Sequence, residues 1–121
     1  MEVKLTNGKT SKLKLKDRRI DDQSQSRSQF QHRIGQKLKQ QYPHDLIFEE
    51  VSVPGENFVL DFFIPSLKLV VECHGKQHTE HIKFFHRTKH QFHKQQERDE
   101  KKKKWCELNN FKLVEIFYNE Q

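Results

Sequence analysis

The chain has 121 residues, 32% hydrophobic and 33% charged, with a net charge of +6 when His is neutral. That length supports one hydrophobic core and excludes a catalytic domain joined to a separate recognition domain of ordinary size. The absence of a long apolar run excludes a membrane span, and two cysteines outside any Cys-x-x-Cys pattern exclude a disulfide framework and a cysteine zinc site.

The charge is concentrated at the start. Residues 1–40 hold eleven Lys/Arg against four Asp/Glu, or +7, and residues 41–121 hold twelve against thirteen, or −1. A basic stretch of this kind is the footprint of phosphate-backbone contact, and it is equally the signature of a solvated tail. Lys12, Lys14, Lys16, Arg18 and Arg19 are the candidate phosphate contacts within it. Free thiols and no apolar leader suit a reducing cytoplasm, with the protein associated with DNA or the nucleoid.

Asn7-Gly8, between alternating apolar and polar residues, predicts a type I′ hairpin over residues 1–16. Val3, Leu5, Leu13 and Leu15 give it an apolar face that needs a surface to cover it. Residues 17–28 are rich in Ser and Gln and read as a linker. The chain therefore divides into a basic hairpin or arm with its linker, 1–27, and a main domain, 28–121. A helix starts at Ser28 as N-cap, carries Phe30, Ile34 and Leu38 on one face, and stops at Pro43. A strand follows over Leu46–Val53, then a turn at Pro54–Asn57.

Phe58–Ile64 and Leu67–Cys73 are apolar runs on either side of Pro65-Ser66, and together they predict a buried β-hairpin. Each run carries a carboxylate where a core wants hydrocarbon, Asp61 and Glu72. With an even loop the two fall opposite or diagonal to one another, and Glu72 shares a face with His74 while Cys73 points the other way. Two partly buried carboxylates this close repel and raise each other's pKa unless a cation intervenes. No Lys or Arg interrupts the runs except Lys68 near the turn, so ordinary ion pairs explain the carboxylates less well than a hard divalent ion, Mg2+ or Mn2+.

Thr79–Thr88 reads as a loop, and a long helix is predicted from near His86 to Leu108. Phe92, Asp99 and Cys106 repeat every seven residues, so Asp99 is a carboxylate on an otherwise inward face. Trp105 reads as a core anchor, Asn109-Asn110 as the helix end, and Phe111–Tyr118 as a closing strand. Two histidine trios, His74-His78-His81 and His86-His90-His93, open a zinc reading, though nothing in sequence orients the second.

The spacing Asp61-x10-Glu72-x-His74 resembles the core of the PD-(D/E)XK nuclease superfamily, with His74 where that group usually carries Lys. VVECHGKQH, with QERDEKKKKWCELNNFKLVEIF after it, is similar to the very-short-patch repair endonuclease-like family, which includes catalytic domains of phage homing endonucleases. The matching positions are Glu72, His74, Gly75, His78, Asp99 and Lys102, with Lys112–Phe117 as the last strand, and the likeness spans about residues 28–118. The family's early helical Glu is replaced here by Gln31, which puts that part of a metal site in doubt; Glu49 or, better, Glu50 could substitute.

The resemblance implies an α/β fold with a restriction-endonuclease-like core, a central mixed β-sheet flanked by helices. It implies a Mg2+-dependent DNA endonuclease, active as a monomer or a homodimer. Asp61 and Glu72 would hold the ion, with the Cys73 backbone carbonyl a further ligand. His78 would be the general base or acid, His74 would take the place of the Lys that stabilises charge on the phosphate, and Asp99 would orient the site. Lys76 and Lys102 join the arm as candidate DNA contacts. The alternatives are a catalytically inactive DNA-binding or assembly module of the same fold, favoured by His74 and Gln31, and a histidine-rich zinc-binding domain.

Overall fold

The structure, a computed structural model, describes residues 1–20, 28–75 and 89–118. Loop 79–88, the start of the long helix before Lys89, and Lys76, His78, His81 and His86 lie outside the described residues.

Helix α1, Gln29–Gln41, begins where the Ser28 hydroxyl accepts a hydrogen bond from the Gln31 backbone N–H at 3.1 Å. Phe30, Ile34 and Leu38 form its buried stripe, and Tyr42 closes it through an N–H bond to the Leu38 carbonyl, just ahead of Pro43. Four strands follow the order β3–β4–β5–β6: Phe48–Ser52, Val59–Ile64, Leu69–His74 and Lys112–Phe117. The pairs β3–β4 and β4–β5 are antiparallel and β5–β6 is parallel. A parallel neighbour needs a long crossover, and helix α2, Lys89–Leu108, supplies it. The described residues thus form an α/β fold with a mixed four-stranded sheet and two helices.

The hairpin expected around Pro65-Ser66 is present. A 3-10 turn over Pro65–Leu67 and a left-handed Lys68 (φ 49°) join β4 to β5, with Ile64 opposite Leu69. That four-residue connection puts Asp61 opposite Glu72 when the register is extended beyond Phe62 and Val71.

The sheet has an apolar cluster on each face. Leu60, Phe63, Val70, Trp105 and Phe111 belong to one, while Phe30, Ile34, Leu38, Phe62 and Val71 belong to the other. Trp105 is fully buried as expected, edge-on to Phe58 at 5.8 Å, and its Nε1 has no hydrogen-bond partner among the described residues. Asn110 adopts the left-handed conformation (φ 58°) after α2, as a helix-ending Asn does.

The N-terminal hairpin corrects one expectation. Its strands, β1 (Glu2–Lys4) and β2 (Thr10–Lys12), are joined by a five-residue loop in which Gly8 (φ 89°) takes the left-handed conformation while Asn7 does not, so the two-residue type I′ turn is not formed. Leu5 explains this: it is buried in the core rather than paired, and its N–H donates to the Lys9 carbonyl at 2.8 Å. The cover that the hairpin's apolar face calls for is the main domain. Val3, Leu5 and Leu13 belong to the same cluster as Trp105, and Gly55 is so close that a Cβ there would lie 2.4 Å from Leu5 Cδ1. Asn109 exchanges two hydrogen bonds with the Lys4 backbone, at 2.7 and 2.9 Å. Residues 18–20 then run beside β3: Glu49 N–H donates to the Arg18 carbonyl at 2.8 Å and Ile20 N–H to the Ile47 carbonyl at 2.9 Å.

Candidate functional site

In a regular strand alternate residues share a face. Here Leu60 and Phe63 pack in one cluster and Phe62 in the other, so β4 falls out of step at Asp61. Strand β3 does the same between Phe48 and Val51, where Glu50 has a φ of 53°. The ladder skips this pair, running from Glu49–Phe62 to Val51–Leu60. A left-handed backbone on a non-glycine residue costs on the order of 1–2 kcal/mol, and such costs gather at functional sites.

Next to this step, side chains replace the ladder between β4 and β5. The Asp61 N–H donates to Glu72 Oε2 at 2.8 Å, and the Cys73 N–H donates to Asp61 Oδ2 at 2.8 Å. Each carboxylate holds the opposite strand's backbone, and regular pairing begins only at Phe62–Val71. The opening is the floor of a cleft of about 920 Å³ lined by Asp61, Glu72, Cys73, Glu50, Asp99 and Lys102 among others. Residues from the first turns of α1 and from one stripe of α2 form its walls.

Lys102 reaches the floor from α2. Its Nζ forms an ion pair with Glu72 Oε1 and donates to the Val59 carbonyl at 3.0 Å. Only 9% of Lys102 is exposed, so its charge sits beside the carboxylates rather than on the surface where a simple DNA contact would place it. Burial disfavours its charge, but Glu72, Asp61 and Asp99 outweigh burial and hold its pKa above the ordinary lysine value. The resemblance singled out Lys102 only as a DNA contact; its pairing with Glu72 was not legible in the runs, because the lysine comes from thirty residues beyond Glu72. One ammonium does not balance the site. Burial first, and then repulsion from Asp61, push the Glu72 pKa up to about 8.

This donor set fits a hard divalent cation. Magnesium is commonly held by one or two carboxylates, with water and substrate phosphate completing the shell. Among the described residues no three His, Cys, Asp or Glu side chains are grouped as a metal-holding set. The Cys73 and Cys106 thiols are both pushed up by burial, Cys106 to about 12, so neither is a ready thiolate ligand.

The other expected residues divide. Gln31, where the resemblance would place a Glu, is buried, and its Nε2 donates to Glu49 Oε2 and Glu50 Oε1, both at 3.3 Å. Its amide therefore bridges the two carboxylates named as substitutes. His74 shares the α2 side of the sheet with Glu72 but is not among the residues lining the cleft. Its Nε2 lies 3.0 Å from Glu115 Oε1 and its ring stacks on Phe117 at 4.8 Å. Lys12, Lys14, Lys16 and Arg19 are exposed, and Arg18 is half-buried. Two residues that the sequence reading left out, Arg33 and Arg98, line the cleft from α1 and α2. A helical spacing could have found the second, since Gln91, Gln95, Arg98 and Lys102 form one stripe.

No family model matches the chain, and no solved structure matches it. It is 45% identical over 62 residues to the uncharacterized protein 307L of Invertebrate iridescent virus 6, a stretch that is 51% of this chain and 32% of that protein. It is similarly related to the uncharacterized protein 033L of Invertebrate iridescent virus 3, at 42% over 66 residues, 54% of this chain and 34% of that protein. The uncharacterized protein 094L of Frog virus 3 is 38% identical over 65 residues, 53% of this chain and 42% of that protein. The matched stretch thus spans less than half of each viral relative.

Proposed function

We propose that the chain is a metal-dependent DNA endonuclease with a restriction-endonuclease-like core, hydrolysing phosphodiester bonds. The observation that carries this reading is the floor of the cleft, where Asp61 and Glu72 hold each other's strands and the Lys102 ammonium meets Glu72. Two hard carboxylates and a buried cation under an open cleft are the groups that hydrolysis of a phosphodiester calls for.

Asp61 and Glu72 would hold Mg2+ or Mn2+, with the Cys73 backbone carbonyl and Glu50 as further candidate ligands. When bound, such an ion polarises the phosphate and lowers the pKa of water. Lys102 is kept charged by its acidic neighbours, and it would offer N–H donors to the oxygens of an entering phosphate. This gives Lys102 the role that the resemblance offered to His74. His74 would act as a positioning residue, holding the end of β5 against β6 through Glu115 and Phe117. Asp99 contributes to the negative field that keeps Lys102 protonated. His78, outside the described residues, stays the proposed proton carrier.

Supercoiled plasmid and circular single-stranded DNA, each incubated with the purified protein, test the proposal. Nicked or linear product from at least one of them is expected with Mg2+ or Mn2+ and none with EDTA. Both DNAs left intact under every metal, while the protein still retards DNA on a gel, would favour the inactive DNA-binding module instead.

A further inference from the structure

We propose that the cleft receives DNA as a single strand, with Arg33 and Arg98 gripping the phosphates on either side of the scissile bond. This rests on the nuclease reading and adds its substrate class. Three observations support it.

The first is depth. Glu72 is 4% exposed and Lys102 9%, so the reacting phosphate has to descend between the helices to reach them. A duplex is stiff over about 150 base pairs and presents its phosphates on a broad convex surface, whereas one strand can bend into a concave site. The cleft, at about 920 Å³, has the size of a site that encloses a small-molecule ligand, enough for a nucleotide or two.

The second is the pairing of the walls. Arg33 on α1 and Arg98 on α2 are both exposed, and both line this cleft with the carboxylates below them. A guanidinium donates a planar fork to phosphate oxygens, so one from each wall fits a backbone passing between them.

The third is what accompanies the arginines. Tyr118 also lines the cleft, is 42% exposed, and meets Phe30 edge-on at 5.8 Å, which leaves an aromatic surface braced from behind. Gln91 and Gln95 continue the Arg98 stripe along the cleft. Basic groups that follow the backbone, aromatic faces that stack bases and amides that meet base edges are the makings of a single-strand site.

The test measures binding without cleavage. Fluorescence anisotropy in EDTA would compare a labelled single-stranded oligonucleotide with its blunt duplex over a range of salt. The single strand should bind at least about tenfold more tightly. Each phosphate contact contributes a slope of about 0.7 in log affinity against log salt on single strands, so Arg33→Ala with Arg98→Ala should lower that slope by about 1.4. The double Lys replacement should keep most of it, and an unchanged thermal midpoint in both variants would confirm that they fold. Equal or tighter binding of the duplex would overturn the single-strand assignment. An unchanged salt slope in the double Ala variant would overturn the role of the arginines. Circular single-stranded DNA left intact with both Mg2+ and Mn2+ would instead strike the nuclease reading, because the anisotropy measurement needs no turnover.

Discussion

Asp61 and Glu72 show how two side chains can reshape a sheet. By accepting N–H groups that a ladder would otherwise use, they part β4 from β5 and make the cleft floor. Asp61→Asn keeps the oxygen that accepts from Cys73 and removes a charge. It should abolish plasmid cleavage while leaving DNA binding intact or tighter, and equal cleavage by the variant and the parent would defeat the metal assignment. Lys102→Met should also remove activity, and Lys102→Arg should not restore it in full, because a guanidinium is larger and planar where the site holds one ammonium. Glu72 adds a pH signature. Its folded pKa, about 8, lies above the ordinary value of 4.5, so the stability it lends is full below about pH 4.5 and is lost as pH rises through about 8. The thermal midpoint measured in EDTA should therefore fall across that window, and Glu72→Gln should flatten the fall. Parallel curves for the two proteins would mean that Lys102 keeps Glu72 ionised throughout.

At the scale of elements, helix α1 brings Gln31, Arg33 and Phe30 to the site, and its seat on the sheet is tight. A Cβ at Gly35 would lie 3.0 Å from Ile20 Cδ1 and 3.1 Å from Phe62 Cζ. Phe62 is fully buried in the middle of β4, so it has little room to retreat. Gly35→Val should lower stability by roughly 1–3 kcal/mol, the usual range for overpacking, despite the better helix propensity of a non-glycine residue. Chemical denaturation would register it as a lower midpoint with an unchanged slope. At the other end of the same contact, Ser28→Ala removes the cap and should cost about 1 kcal/mol.

For the molecule as a whole, the basic hairpin is part of the core. Deleting residues 1–20 removes Val3, Leu5 and Leu13 from the Trp105 cluster and uncovers the edge of β3. It should lower the thermal midpoint substantially, so truncation is a poor probe of charge. Replacing Lys12, Lys14 and Lys16 with Gln is the cleaner test, since all three are exposed. If the basic face contacts phosphates, these replacements should reduce the salt dependence of DNA binding and leave the midpoint unchanged. A salt slope equal to that of the parent protein would make that face a solvated surface.

Local signals in the sequence determined much of the architecture. The Ser28 cap, the Phe30-Ile34-Leu38 stripe, the turn at Pro65-Ser66, the burial of Trp105 and the end of α2 at Asn109-Asn110 all depend on residues within a few positions of one another. The same locality exposed Asp61 and Glu72 as carboxylates inside apolar runs, and an even loop was enough to set them opposite. Only the tertiary structure decided which cation meets them. Lys102, Gln31 and the two arginines lie on helices far away in sequence, and helix packing alone brings them to the floor and walls of the cleft. The out-of-step pair Glu50 and Asp61 was equally hidden, because it arises from two strands yielding together and not from either strand's own pattern. The hairpin's place followed the same logic. Its apolar face asked for a cover, and the identity of that cover, Gly55 and the Trp105 cluster, depended on contacts across the whole fold.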